Sequence, residues 1–206
     1  MEPADPAASR RPPRYTPVLP ARAALPLRPR RVLVAGVSGA GKTTFAGRLA
    51  ALAGLPHTEI DALFHGPDWT PRPEFQDDVR ALVAQPEWVT EWQYSEVRPL
   101  LAAHADLLVW LDHPFWRVTF PRVVRRTVRR RLLHEELWNG NREGSLAGVL
   151  TDQEHIIRWA VRTRRKYRDL VQRAARKNPG LVIVRLGTPA EAEAWLTGSF
   201  REAVRL

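Results

Sequence analysis

The chain of 206 residues contains no cysteine. That excludes a disulfide framework and any thiolate metal site. It also lacks an apolar run of membrane-spanning length and the hydrophobic stretch of a signal peptide. A cytoplasmic protein with no membrane partner is the expectation from those absences. Lysine is scarce: Lys42, Lys166 and Lys177 are the only three, beside a large excess of arginine. Acids fall so far short of bases that the formal net charge is +10. That imbalance favours anionic partners, meaning nucleotides, phosphorylated substrates or nucleic acid.

Residues 1–30 have little that a core needs. They hold eight of the 18 prolines, several arginines and almost no aromatic residues. A helix or a central strand does not run through that proline density, so the segment reads as a disordered Pro/Arg-rich tail. The same prolines argue against an amphipathic targeting helix. A basic tether for nucleic acid is the functional alternative. One domain is then expected over 31–206, a length that allows a substantial core.

What is present is concentrated in "RVLVAGVSGAGKTTFAGRLA", residues 31–50. Val32 to Ala35 is short, apolar and largely β-branched, as a buried strand is. Gly36, Val37, Ser38, Gly39, Ala40, Gly41, Lys42 and Thr43 then match the G-x-x-x-x-G-K-[ST] pattern of a phosphate-binding loop. Glycines let backbone N–H groups approach phosphate oxygens. The helix that follows offers its unpaired first-turn donors to an anion. The pattern gives Lys42 to the β- and γ-phosphates, Thr43 to Mg²⁺ and Thr44 to the region of the α-phosphate. A lysine here, in a chain that otherwise uses arginine, suits a compact point charge.

The remaining chain alternates. Strands are predicted at 31–36, 57–60, 87–91, 106–111 and 181–186. Helices are predicted at 42–53, 74–84, 95–104, 114–133, 152–177 and 189–203, with prolines at many boundaries. Such alternation implies a parallel sheet covered on both faces, with ligands at the C-terminal strand ends. Carboxylates stand at those ends. Asp61 is the candidate on the acceptor side and Glu91 on the metal side, with helix capping or a solvated loop as the structural alternative for each. Asp112, just before Pro114, suits capping better. His113 reads as a surface histidine.

Two arginine runs follow, over 117–131 and 158–168. Between them lies "LLHEELWNGNREGSLAGVLTDQE". Clustered like charges repel, which an adjacent polyanion would relieve. Two basic helices joined by a Gly/Asn-containing segment look like a lid over 117–168. Arg126, Arg130 and Arg142 are its candidate phosphate contacts.

Four stretches, "GVSGAGKTT", "TEIDALFHGPDWTPRP", "WVTEWQYSEVRPLL" and "ELWNGNRE", resemble the P-loop nucleoside-monophosphate kinase group. Within it they are similar to the adenylate-kinase-related proteins labelled DNA topology modulation proteins. The resemblance implies a three-layer P-loop NTPase fold with a five-stranded parallel core in 2-3-1-4-5 order, ATP with Mg²⁺, and a mobile lid after the fourth strand. That family's third strand commonly ends Asp-Gly-Asn-Tyr; here it ends Glu91-Trp92-Gln93-Tyr94. Glutamate lengthens the reach, and Trp92 fills space in which backbone approaches a ligand. The leading expectation is Mg²⁺-dependent transfer of the ATP γ-phosphoryl group to a small acceptor, by a monomer or homodimer. The alternative is a slow ATP-dependent regulator that binds nucleic acid through its arginines.

Overall fold

The computed structural model describes residues 18–132 and 156–205. Five parallel strands form one sheet: β1 (Val18–Pro20), β2 (Arg31–Gly36), β3 (Trp88–Glu91), β4 (Leu107–Leu111) and β5 (Val182–Leu186), in the order β1-β5-β4-β2-β3. The order 3-1-4-5 expected for the strands at 87–91, 31–36, 106–111 and 181–186 is present. The two edges of the sheet differ from expectation.

The segment 57–60 is not a strand. It contributes a single bridge, His57 to Val89, and then turns into α2 (Ile60–Phe64). His57, Thr58 and Glu59 offer no apolar run to hold a longer edge. The amide of Ile60 is bonded by a carboxylate instead of a strand partner. At the other edge, β1 comes from the segment expected to be a detached tail. Val18, Leu19 and Pro20 register against Ile183, Val184 and Arg185. Proline is tolerated there because the strand is at an edge. Leu25 is buried, and Leu19, Ala21 and Leu27 pack against the core. Residues 1–17 lie outside the described part.

The strands sort their side chains by alternation. In β2, Val32 and Val34 face a core that includes Leu49, Val184, Trp195 and Phe200. Leu33 and Ala35 face a second core with Ile60, Trp88, Leu101 and Val171. Burial on both faces explains why β2 and β4 are unbroken apolar runs. Helix α1 (Lys42–Ala53) buries Phe45, Ala46, Leu49 and Ala50, and stops at Gly54, whose φ is +68° and whose N–H donates to Ala50 O. Helices α3 (Phe75–Val83) and α4 (Arg98–His104) flank β3 in sequence. A π turn at Phe115–Thr119 leads into α5 (Phe120–Leu132).

The long helix expected over 152–177 is two: α6 (Ile156–Thr163) and α7 (Lys166–Lys177). The last one is also divided, into α8 (Pro189–Trp195), a π turn at Leu196–Phe200 and α9 (Arg201–Arg205), with Gly198 in a non-helical conformation. The parallel sheet, its helical layers and the glycine loop after β2 make this a P-loop NTPase α/β fold. No helix of the described residues is long and apolar enough to cross a membrane.

Candidate active site

β2 ends at Gly36, and the chain turns through Val37–Gly41 into α1. The Ala40 amide donates to Val37 O at 3.1 Å, which tightens the turn. Gly39 and Gly41 lie at φ +80° and +89°, where an L side chain is strained. Gly39 has a second constraint. A Cβ there would lie 2.3 Å from Val123 Cγ2 and 2.7 Å from Thr119 O. The loop therefore sits directly on the start of α5. Gly41 heads α1 without a side-chain cap, which leaves first-turn amides for an anion. Ala40 is buried, while Thr44 is exposed on the first turn of α1.

Lys42 is half-buried, and its Nζ donates to Val37 O at 3.4 Å. Burial lowers its ammonium from the ordinary lysine range to about 8; Asp61 and Glu91 oppose that fall, and Arg126 adds to it. The same relationships identify its neighbourhood. Both acidic candidates lie within electrostatic reach of Lys42, as does one arginine of α5.

Glu91, at the end of β3, is 1% exposed. Its Oε2 accepts from the Ile60 amide at 3.0 Å. Its Oε1 has no hydrogen-bond partner among the described residues and stands 3.7 Å from His57 Nε2, too far for a hydrogen bond. Burial acts to raise this carboxyl, but His57, the Ile60 amide and the Thr43 hydroxyl together hold it below the ordinary glutamate value. An ionised, buried carboxylate beside Thr43, with one oxygen unsatisfied, is what a hydrated Mg²⁺ would need. Among the described residues no group of three or more His, Cys, Asp or Glu side chains converges as a metal site of its own. Thr43 and Glu91 would thus serve a metal that nucleotide phosphates also ligate.

Asp61 lies in the first turn of α2, and the N-cap position belongs to Glu59. Asp61 is not a cap. Its Oδ1 accepts from Gln93 Nε2 at 2.9 Å and from the Tyr94 hydroxyl at 2.6 Å. The Tyr94 hydroxyl also lies 3.2 Å from His65 Nε2. Aromatic rings frame this carboxylate: Phe64 stacks on Tyr94 at 3.9 Å, and Trp69 meets His65 edge-on at 5.0 Å. Asp68, Trp69 and Tyr94 all have positive φ, at 54°, 58° and 54°. Each such residue costs on the order of 1–3 kcal/mol, and such residues cluster at ligand sites. Burial, and then the negative charge of Asp61, push the Tyr94 phenol far above its ordinary range, so it remains a donor.

Of the arginine candidates, Arg126 reaches the loop, with Nη2 3.5 Å from Ser38 Oγ. The α5 partner beside it is Arg122, whose Nη1 is 3.9 Å from where a Gly41 Cβ would stand. Arg122 and Arg126 are four apart and share a helix face. The Arg130 side chain, Arg142 and the expected lid centre 138–143 lie outside the described residues.

Asp112 does not cap the following turn, whose N-cap is Pro114. It pairs with Arg185 at 2.7 Å. His113 is buried and not on the surface. Trp92 does not crowd the site either. It is 3% exposed in the second core, where its Nε1 donates to Arg98 O and its own carbonyl accepts from Tyr167.

Trp92 points to a residue that the motifs did not single out. Arg98 begins α4 and is 8% exposed, with its guanidinium 6.0 Å from the Trp92 ring centroid. That guanidinium has no hydrogen bond or ion pair among the described residues. Tyr167, pushed up to about 12 by burial, lies within electrostatic reach of both Arg98 and Asp61. Gln93, Tyr94, His57 and His65 were likewise missed as partners. The one sequence signal, for Gln93, Tyr94 and His65, was the density of polar and aromatic residues in "WQY" and "FHGPDW".

No family model and no curated protein matches the chain. Among solved structures, similarity is found to a shikimate kinase from Acinetobacter baumannii in complex with shikimate, at 16% identity and TM-score 0.47, over 85% of this chain and 89% of that one. A gluconokinase from Sinorhizobium meliloti 1021 is similar at 20% identity and TM-score 0.47, over 83% and 93%. A sugar kinase from Janibacter sp. HTCC2649 is similar at 22% identity and TM-score 0.32, over 77% and 99%.

Proposed function

We propose that this chain is an ATP-dependent phosphotransferase whose acceptor is a small molecule with a hydroxyl and an anionic group. The observation that carries the reading is the meeting of three charges at one loop. Lys42 of a complete phosphate-binding pattern feels Asp61, Glu91 and Arg126 together. A purely structural glycine turn has no need of two carboxylates and a second cation around its lysine.

The roles divide by position. Amides of Gly39 to Thr44 cradle the β-phosphate, and Lys42 reaches the oxygens between β and γ. Thr43 and Glu91 hold Mg²⁺ directly or through water. Bound Mg²⁺ supplies neutralisation of charge on the phosphates. Arg122 and Arg126 stand where charge spreads in transfer, and fixed donors there act without reorganisation. Asp61 accepts the proton of the acceptor hydroxyl as its oxygen bonds to the γ-phosphorus and the bridging oxygen leaves with ADP. Arg98 is the reason for the anionic group. A buried guanidinium left without a carboxylate is costly unless a ligand completes it. Whether the acceptor is a nucleoside monophosphate, as the motif resemblance suggests, rests on those motifs alone.

The test is an acceptor panel with purified protein, ATP and Mg²⁺, covering nucleoside monophosphates, phosphorylated sugars, hydroxy acids and uncharged polyols. Anionic members are expected to raise ADP release above the acceptor-free rate. Stimulation only by uncharged members would remove the anionic acceptor. No stimulation by any member would remove the kinase reading.

A second reading is supported by one feature. Trp116 is 59% exposed, beside Phe115 and Phe120 and next to Arg117. An exposed indole among arginines suits stacking on single-stranded nucleic acid. Binding of an oligonucleotide that weakens steeply with salt, and is lost in Trp116→Ala, would favour this role.

A further inference from the structure

The phosphate loop accounts for Lys42 and Thr43, but the strain at the acceptor end is still without a purpose. Asp68, Trp69 and Tyr94 are non-glycine residues with positive φ. Of these, Tyr94 is the one whose side chain touches Asp61. Both hydrogen bonds to Asp61 fall on Oδ1, from Gln93 and Tyr94. Its Oδ2 accepts none among the described residues. A hydroxyl that donates to Asp61 has only its oxygen left for a neighbour, so it accepts from His65 Nε2. The three groups form a chain: His65 donates to Tyr94, which donates to Asp61. The Tyr94 ring is clamped between Phe64 at 3.9 Å and Phe75 at 5.2 Å, so its position is set by packing.

We propose that Tyr94 is a positioning residue for Asp61: it fixes Oδ1, turns Oδ2 to the acceptor, and ties the proton affinity of Asp61 to the protonation and tautomer of His65. The inference rests on the phosphotransferase reading for what Oδ2 meets, while the chain of hydrogen bonds is independent of it. The titratable and charged groups that face Asp61 are Lys42 from α1, His65 after α2, Tyr94 after β3 and Tyr167 from α7. Those facing Tyr94 are Asp61, Glu91 and Glu96. Within this set only Tyr94 bonds both ends of the chain. Burial lowers His65, while Asp61 and the Trp69 backbone oppose that fall, so the neutral imidazole is favoured near neutral pH, and the bond to Tyr94 calls for its Nε2–H tautomer.

The experiment is carbon-13 NMR titration of the full-length protein, reading the Asp61 carboxyl, assigned with Asp61→Asn, and the His65 ring carbons. No ATP or acceptor is needed. Tyr94→Phe keeps the ring packing and is expected to raise the Asp61 midpoint by about one pH unit, and to move His65 away from the Nε2–H tautomer. Gln93→Ala should raise the Asp61 midpoint but leave the His65 tautomer as in wild type. His65→Phe reads the chain from its far end, and should raise the Asp61 midpoint by less than Tyr94→Phe does. An Asp61 midpoint that is the same in Tyr94→Phe and wild type overturns the proposal. So does a His65 tautomer that responds equally to Gln93→Ala and Tyr94→Phe.

A kinetic arm follows once the panel supplies an acceptor. Tyr94→Phe is expected to lower kcat about tenfold with KM for ATP unchanged, and to move the acid limb of kcat upward with the Asp61 midpoint. A fallen kcat with an unmoved acid limb contradicts the positioning role. Failure of the panel would remove the phosphotransferase reading and leave the NMR result standing.

Discussion

Around Lys42 the groups that face a ligand are backbone amides of one continuous stretch, held by two glycines with φ near +80° and +89°. Around Asp61 they are side chains, Gln93 and Tyr94 from the segment after β3, with the Tyr94 ring packed on Phe64 of α2 and Phe75 of α3. The first region is built by local sequence and the second by tertiary structure. Phosphate is the same in every nucleotide, so a backbone cradle serves it. An acceptor has its own shape, so it is met by side chains that can vary without disturbing the loop.

The contrast is broken most directly at Lys42. Lys42→Ala should lower phosphoryl transfer by roughly two powers of ten or more, with the melting temperature retained. Steady-state ADP release together with a thermal melt checks both halves. Gly39→Ala tests the loop by sterics alone. Its Cβ would meet Val123 and the Thr119 carbonyl, so a loss of about 1–3 kcal/mol is expected in denaturant unfolding, with weakened ATP binding. Retention of full stability there would mean that α5 yields easily to the loop.

On the acceptor side, Arg98→Gln should raise KM for an anionic acceptor at least tenfold and leave KM for ATP within a factor of two. Equal rises in both would place Arg98 on the nucleotide. Arg98→Lys tests the planar fork and should rescue only in part.

How much of this the sequence disclosed follows the same division. The phosphate loop, the boundaries of α1, and the strands at 31–36 and 106–111 were readable because each is set by residues adjacent in the chain. The edges were not. β1 was hidden by prolines, which count against a strand except at an edge, and 57–60 has strand-like spacing but turns where Glu91 takes the Ile60 amide. Glu91 was legible as a strand-end carboxylate, and Asp61 was singled out on the same ground although it stands in the first turn of α2. Their partners His57, Gln93 and Tyr94 were not, because pairings such as Asp61 with Tyr94, thirty-three residues away, have no signature in one sequence. Arg126 was anticipated on α5, but Arg122 beside it was not, because a run of arginines does not reveal which face meets the loop.

The tail offers a gentler test of that boundary. Removing residues 1–30 takes away β1 and Leu25, so the melting temperature should fall by several degrees. Removing 1–17 should leave it nearly unchanged. Equal melting temperatures for both truncations would mean that the β1 edge adds little.

The smallest expected effect is on pH. Burial holds Lys42 at about 8 in the ligand-free protein, against 10.5 for an ordinary lysine. Between those values the unfolded chain binds more protons at this position than the folded one, so ligand-free stability from this group rises with pH. ATP needs the protonated amine, so its affinity should fall over the same rise. Lys42→Met should flatten both trends, as read by melts and calorimetry from pH 7 to about 10.

The central claim is that nucleotide and acceptor are held by separable halves of one site, with Asp61 taking the acceptor proton. Asp61→Asn keeps size and removes the charge. Calorimetric Kd for ATP with Mg²⁺, measured beside acceptor-dependent ADP release on the same preparation, tests it. The account predicts a Kd within a factor of two of wild type and release lowered by about two powers of ten. Undiminished release, or a Kd weakened in proportion to the release, would contradict it.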